Sequence, residues 1–294
     1  MRSLSNIFES LLLHFGGWIP DKLYLKLLFR AHMGYFMDFD NPRTFNEKLQ
    51  WLKLYNRRPA YTDLVDKINV KEKIAGIIGE ECIIPTIKVW DNISEITPEE
   101  IAKLPNKFVM KTNHSGGNSG VSICKDKNRW NAGEALQKMK TSLKADIYSR
   151  YREWPYKNVR KRVFVEEYLG DDITDYKFFC YDGYAESVMV AYDRQAGDTK
   201  FYFFDKDWNL KRYNVRGKEA PADFTKPKPK SIDRMFEIAS ELSKGFPFVR
   251  VDLYNIDGNI YFGEMTFYPA SGLDPNLLPE TDLHFGNLIT PPKK

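Results

Sequence analysis

Hydrophobic positions recur at helical spacing through the first 58 residues. Leu4, Ile7, Phe8, Leu11, Leu12 and Phe15 form one stripe, and Leu23, Leu27, Leu28 and Ala31 repeat it after Pro20 and Asp21. The Gly16-Gly17 pair separates the two predicted helices. A third helix starts with the capping-box spacing Thr44 to Glu47, in which a hydroxyl and a carboxylate satisfy two orphan backbone N–H groups. It continues through Leu49, Trp51, Leu52 and Leu54 and stops near Arg58-Pro59. The first helix is amphipathic with Arg2 nearby, which suits a membrane surface, but packing against the protein's own core would produce the same stripe.

From Tyr61 the pattern changes. One helix is predicted over 62–78, ended by Gly79, followed by strand-like segments at 83–90, 107–113 and 121–125. A helix near 131–147 precedes a further strand-like run at 163–169. Asp182-Gly183 and Asp257-Gly258, each flanked by β-branched and aromatic residues, are hairpin-turn signals, so the sheets should be largely antiparallel and the fold class α+β. The Pro- and Lys-rich stretch 218–230 cannot form a packed strand and is expected to be an exposed loop.

The 294 residues suffice for a core that needs no disulfide or metal staple, and 43% hydrophobic with 29% charged residues is a globular composition. A net charge of +4 is too small to argue for a nucleic-acid partner. Three cysteines (Cys82, Cys124, Cys180) without a C-x-x-C spacing argue against a disulfide framework or a structural zinc site and suit a reducing cytoplasm. No apolar run approaches the ~20 residues of a membrane span, and Glu9 makes the N-terminal stretch a poor signal peptide, so a cytoplasmic location is expected.

Two stretches carry chemistry. In 108–124 a strand ending at Lys111 enters a Ser- and Gly-rich loop and leaves as a second strand. Glycines let backbone N–H groups approach phosphate oxygens, although the P-loop pattern is absent and turns use the same residues. In 248–272, Arg250 and Asp252 lie two apart on one predicted strand, and Glu264 and Thr266 two apart on the next, so each pair shares a face. Two carboxylates beside a basic residue suit Mg²⁺ bridging phosphate oxygens. A surface cross-strand ion pair is the alternative, but Val249, Val251 and Phe262 at alternate positions leave one face to pack and the other to present the acids.

In order along the chain come Asp66-Lys67, Lys111 with its loop, Glu166-Glu167-Tyr168-Leu169, Asp175-Tyr176-Lys177, Arg250-x-Asp252 and Glu264-x-Thr266. This succession resembles the ATP-grasp superfamily. Segments 41–67 and 263–272 are similar to its TupA-like branch, associated with teichuronopeptide and other cell-surface polysaccharide biosynthesis, and the resemblance spans nearly the whole chain. It implies an N-terminal helical region (1–58) before an ATP-grasp domain (59–294), in which two α+β subdomains with mainly antiparallel sheets clamp ATP. The first subdomain (59–160) would hold the Gly-rich loop, and the second (161–294) the hinge and metal site. Lys67 and Lys111 would contact nucleotide phosphates, and the loop 114–120, with Ser115, Gly116, Gly117 and Gly120, would close over them. Glu166, Glu167, Tyr168 and Leu169 would hold adenine and ribose, and Asp252 and Glu264 would hold Mg²⁺. The superfamily's last motif usually ends Glu-x-Asn, so Thr266 offers a weaker third metal ligand.

The implied reaction is ATP-dependent carboxylate–amine ligation through an acyl phosphate, with Lys177, Arg250 and Mg²⁺ as fixed cations in a water-poor site. The Gly-rich loop, with 218–230 as a second cover, is the candidate lid. His114 is either a phosphate or substrate contact or a solvent-facing loop residue. The family association implies a uronic-acid carboxylate on a glycan or precursor, and an amino acid or other amine as acceptor. Aromatic and basic residues at 148–162 either stack on sugars or form an ordinary solvated helix end. Rival readings are a glycosyltransferase, from the Asp-x-Asp spacings at Asp38/Asp40 and Asp205/Asp207, a sugar kinase on the same ATP site, and a non-enzymatic scaffold. Peripheral contact with the inner membrane face would follow if the first helix lies on a bilayer.

Overall fold

The computed structural model describes residues 2–171, 173–192 and 199–293, with side chains from Ile7 onward; those of Arg2 and Leu4 lie outside the described residues. The chain runs α1 (Arg2–Phe15), α2 (Asp21–Met33), α3 (Phe45–Tyr55), α4 (Ala60–Val65), α5 (Val70–Ile78), β1 (Thr86–Trp90), α6 (Pro98–Ala102), β2 (Phe108–Thr112), β3 (Val121–Cys124), α7 (Ala132–Leu143) and α8 (Ile147–Tyr151). It continues through β4 (Val163–Glu167), β5 (Thr174–Tyr181), β6 (Tyr184–Tyr192), β7 (Lys200–Phe204), β8 (Leu210–Lys211), α9 (Val215–Glu219), α10 (Ile232–Leu242), β9 (Val249–Ile256), β10 (Asn259–Thr266) and α11 (Pro279–Leu288).

These elements form two compact units. The larger comprises Met1–Arg58, Ile147–Trp154 and Thr174–Lys294, the smaller Pro59–Asp146 and Pro155–Ile173. Residues 1–58 therefore cluster with the C-terminal sheet rather than standing apart, and 161–173 stays with the smaller unit.

The smaller unit is built on a four-stranded antiparallel sheet of order β1-β4-β2-β3. One face packs Phe108, Met110, Cys124, Val163 and Val165 around Met139 of α7. The single helix expected over 62–78 is broken into α4 and α5. Asp66 turns to extended backbone, and its carboxylate accepts from the N–H groups of Ile68 and Asn69 at 2.9 and 3.3 Å. This is the competition between short polar side chains and the helix ladder.

The larger unit holds a six-stranded antiparallel sheet of order β10-β9-β5-β6-β7-β8. Strand alternation sends Phe178, Val249, Val251 and Leu253 to one face, where Phe236 of α10 meets Phe178 edge-on at 4.9 Å. The other face carries Phe179 and Phe203, which pack with Phe285 of α11, while Phe45 of α3 joins the cluster through Phe179 and Phe285. Both Asp-Gly turns form as expected, with positive φ at Asp182 and Gly183 and again at Asp257 and Gly258. The capping box also forms: Thr44 Oγ1 accepts from Glu47 N, and Glu47 Oε2 accepts from Thr44 N at 3.1 Å. Beyond α9, residues 220–230 form neither helix nor strand and are mostly exposed. The first helix departs from the core-packing expectation: Leu12 is buried, but Ile7, Phe8, Leu11 and Phe15 are exposed.

Candidate functional site

Register decides which side chains meet on the larger sheet. Glu264 pairs with Asp252 and Asp252 with Lys177; in the next row Thr266 pairs with Arg250 and Arg250 with Phe179. Strict alternation along β10 would put Phe262, Glu264 and Thr266 on one face. A bulge at Gly263 separates them, because Phe262 pairs with Leu253 and Glu264 with Asp252. Glycine fits most easily there: a Cβ would come 3.0 Å from the Asp252 carbonyl oxygen and 3.2 Å from the Tyr254 ring, so that these neighbours would have to give way.

The resulting polar cluster is tightly bonded. Arg250 grips Asp252 with two contacts, Nε to Oδ1 at 2.6 Å and Nη2 to Oδ2 at 2.7 Å. The same Nη2 donates to Glu264 Oε1 at 3.2 Å and Thr266 Oγ1 at 3.1 Å. Lys177 Nζ pairs with Asp252 and with Asp175 Oδ2 at 2.6 Å. Burial raises the Asp252 pKa above the usual carboxylate value; Arg250 and Lys177 oppose the rise, while Asp175 and Glu264 add to it. Asp175, Asp252 and Glu264 thus crowd against two cations, an arrangement that favours added positive charge. Asp175 and Lys177, two apart on β5, share a face by strand alternation alone, whereas their place beside Asp252 of β9 follows only from the sheet.

Carboxylate and hydroxyl oxygens are the hard donors that Mg²⁺ prefers, so Asp252, Glu264 and Thr266 fit that ion by chemistry. Among the described residues no group of three or more His, Cys, Asp or Glu side chains is arranged to hold a metal. Two carboxylates and a hydroxyl would leave the remaining positions to phosphate oxygens and water, the usual manner for this ion.

In the smaller unit, Lys111 and Glu166 lie on adjacent strands and form an ion pair. Glu166 also takes Lys71 Nζ at 3.1 Å. Burial alone would raise the Glu166 pKa, but Lys111 and Lys71 more than reverse this and hold it below the usual range. The same burial lowers the Lys71 pKa against the pull of Glu166. Lys71 was not singled out from sequence, although it lies four residues beyond Lys67 within the helix expected there. Lys67 Nζ donates to the Ser115 carbonyl at 2.8 Å and its backbone N–H to the Asn113 carbonyl at 3.0 Å. It anchors the base of the Gly-rich loop.

Within that loop the glycines differ. Gly116 and Gly117 have open space where a Cβ would stand, and Gly117 has φ +58°. A Cβ on Gly120 would strike the hydroxyls of Thr112, Ser115 and Ser142, so packing demands it. Ser115 is buried, its hydroxyl bonded to Thr112 Oγ1 at 2.8 Å. His114 is buried as well, which removes the solvent-facing reading, and burial depresses its pKa to about 4. Glu166 is buried on β4 and Glu167 exposed at its end, with Tyr168 and Leu169 half-buried beyond.

The Asp-x-Asp spacings are used in turns: Asp38 Oδ1 accepts from Asp40 N at 2.9 Å, and Asp205 Oδ1 from Asn209 N at 2.8 Å. Several residues of 148–162 bond within their own unit, as an ordinary helix end would. Tyr148 OH donates to Asp21 at 3.3 Å, Lys161 Nζ to the Ala145 carbonyl at 2.7 Å, and Arg162 to Asp66 at 3.0 Å.

Comparison with known proteins places the chain. No curated protein matches it. Solved structures resemble it at low identity. One is a D-alanine–D-alanine ligase from Helicobacter pylori, 15% identical with TM-score 0.46 over 84% of this chain and 69% of that one. Another, from Bacillus anthracis, is 18% identical with TM-score 0.42 over 77% and 63%. N5-carboxyaminoimidazole synthetase from Staphylococcus aureus, complexed with ADP, is 17% identical with TM-score 0.39 over 76% and 52%. The chain therefore spans between half and just over two thirds of these proteins' lengths. The TupA-like ATP-grasp family model matches residues 47–290, most of the sequence. The chain belongs to the TupA-like ATP-grasp family.

Proposed function

We propose that this protein is an ATP- and Mg²⁺-dependent carboxylate–amine ligase that joins an amino acid or other amine to a uronic-acid carboxylate of a cell-surface polysaccharide or its precursor, in the cytoplasm. Family membership supports the use of ATP. The observation that carries the chemistry is the single face on which Lys177, Arg250, Asp252, Glu264 and Thr266 converge.

In this reading Lys111, Lys67 and the loop 114–120 hold the nucleotide phosphates, and Glu166–Leu169 holds adenine and ribose. Asp252, Glu264 and Thr266 hold Mg²⁺, which when bound neutralises charge on the phosphate oxygens. A substrate carboxylate oxygen attacks the γ-phosphorus and ADP departs, leaving an acyl phosphate. The amine then attacks the acyl carbon, phosphate leaves, and an amide remains. Lys177 supplies a positive charge close to the developing phosphoryl charge, while Arg250 fixes the two acids in place. The loop excludes water that would hydrolyse the acyl phosphate.

The test is ADP and phosphate release from ATP with Mg²⁺, using glucuronate- or galacturonate-containing glycans and a panel of amines. Release should require both an acid and an amine. Glu264→Gln should lower kcat at least about a hundredfold with an unchanged melting temperature. Phosphate retained on the sugar would replace this reading with a kinase, and stabilisation by UDP-sugars but not by ATP would replace it with a glycosyltransferase.

A further inference from the structure

Exposed large hydrophobic side chains are concentrated in the N-terminal helices of the larger unit rather than scattered over it. Along α1 the positions Ile7, Phe8, Leu11 and Phe15 fall on one exposed helical face, whereas Leu12 turns inward onto the unit. The turn after α1 presents Trp18, whose exposure of 84% exceeds even the 71% of Phe15. Scattered single apolar residues need no explanation, but a contiguous face of this kind marks an interaction surface.

Charge indicates what meets that surface. Lys22, Lys26 and Arg30 follow at four-residue spacing along α2, on the same side as exposed Leu23. The two acidic residues of α1 and α2 are directed elsewhere: Glu9 pairs with His32 at 3.2 Å, and Asp21 pairs with Arg57 and Arg152, while Lys22 Nζ lies 3.9 Å from exposed Asp40, which leaves Lys26 and Arg30 as the cations for that surface. Arg30 in turn lies 5.5 Å from the ring centre of exposed Phe36. An exposed apolar face with an indole at its end, followed by a row of cations along the next helix, is complementary to an anionic lipid interface, where acyl chains, the headgroup boundary and lipid phosphates lie in that order. Among the described residues no helix is long and apolar enough to cross a membrane, so the contact is one of lying on the bilayer.

We propose that α1, the Gly16–Trp18 turn and α2 form a docking surface for an anionic lipid bilayer. Ile7, Phe8, Leu11, Phe15 and Trp18 enter the headgroup–acyl boundary, and Lys26 and Arg30 meet the lipid phosphates. The surface stands on its own geometry and not on the ligase reading, and its test uses no nucleotide.

The test is co-sedimentation of the full chain with vesicles of equal parts phosphatidylglycerol and phosphatidylcholine, against vesicles of phosphatidylcholine alone. The chain should partition onto the anionic vesicles, more weakly as salt is raised. Because Phe15 and Trp18 are exposed, Phe15→Ser with Trp18→Ser should leave the melting temperature unchanged and weaken partition by roughly a hundredfold. Lys26→Glu with Arg30→Glu should abolish the preference for anionic vesicles while the protein stays folded. Failure to partition onto either vesicle would overturn the proposal. So would a dimer in analytical ultracentrifugation that the Phe15/Trp18 variant dissociates, since the face would then belong to a second copy.

Discussion

His114 is a titratable ring enclosed at the root of a glycine-rich loop. Burial lowers its pKa to about 4, with Lys161 and Lys67 pushing the same way, while the Ser142 and Ala145 backbone groups oppose the shift. The sign of the consequence follows from linkage. Above the ordinary histidine pKa near 6.5 the ring is neutral in both folded and unfolded chains, and this contribution to stability is complete. Between about 6.5 and about 4 the unfolded chain binds a proton that the folded one refuses, so stability falls as pH falls, by up to about 1.4 kcal/mol per pH unit. Melting curves across this window should show that slope, and His114→Gln should reduce it; an unchanged slope would assign the titration to other groups. The sequence marks this residue as interesting through its neighbours in the loop. Its burial was not legible, because the groups around it come from the end of α7 and from the segment near Lys161.

Local signals at the scale of elements were reliable where the partners were close in sequence. The Thr44–Glu47 box and the two Asp-Gly turns needed only neighbours within a few residues, and all three formed. The break at Asp66 was hidden because its side chain also bonds Asn113 and Arg162, 47 and 96 residues away. Period-2 reasoning paired Arg250 with Asp252 and Glu264 with Thr266, but strict alternation cannot also turn Phe262 to the opposite face. Gly263 does that, and an isolated glycine in a strand was the available signal. Gly263→Ala should therefore cost about 1–3 kcal/mol in denaturant unfolding, since its Cβ would press on the Asp252 carbonyl and the Tyr254 ring. ADP formation should fall more than stability does, because the strain displaces Glu264 from Asp252. A variant losing stability alone would show that the bulge is not needed to place the acid.

Long-range closure sets the composition of the larger unit, and here sequence order misleads most. Residues 1–58, 147–154 and 174–294 fold together, so the N-terminal helical region clusters with the unit that carries the acids. A buried cluster ties the three segments. Lys53 Nζ on α3 donates to the Ser271 carbonyl at 2.6 Å, Gln50 Nε2 donates to the Ser271 and Gly272 carbonyls at 3.0 and 2.6 Å, and Ser271 Oγ donates to Glu153 Oε1 at 2.6 Å. What they clamp is strained: Ala270, Ser271 and Gly272 all have positive φ, at 47°, 56° and 62°. Burial drives the cluster's charges toward neutrality, lowering Lys53 to about 8 and raising Glu153, with each opposing the other's shift. Removing one partner leaves the other charge buried alone, so Lys53→Met or Glu153→Gln should each cost about 3–5 kcal/mol. In the double variant Lys53→Met with Glu153→Leu no uncompensated charge remains. Its cost should fall short of the sum of Lys53→Met and Glu153→Leu measured singly by about 0.5–3 kcal/mol. Denaturant unfolding of all three variants closes the cycle. Additive costs would mean that the two charges are held independently, each through its own hydrogen bond to Ser271.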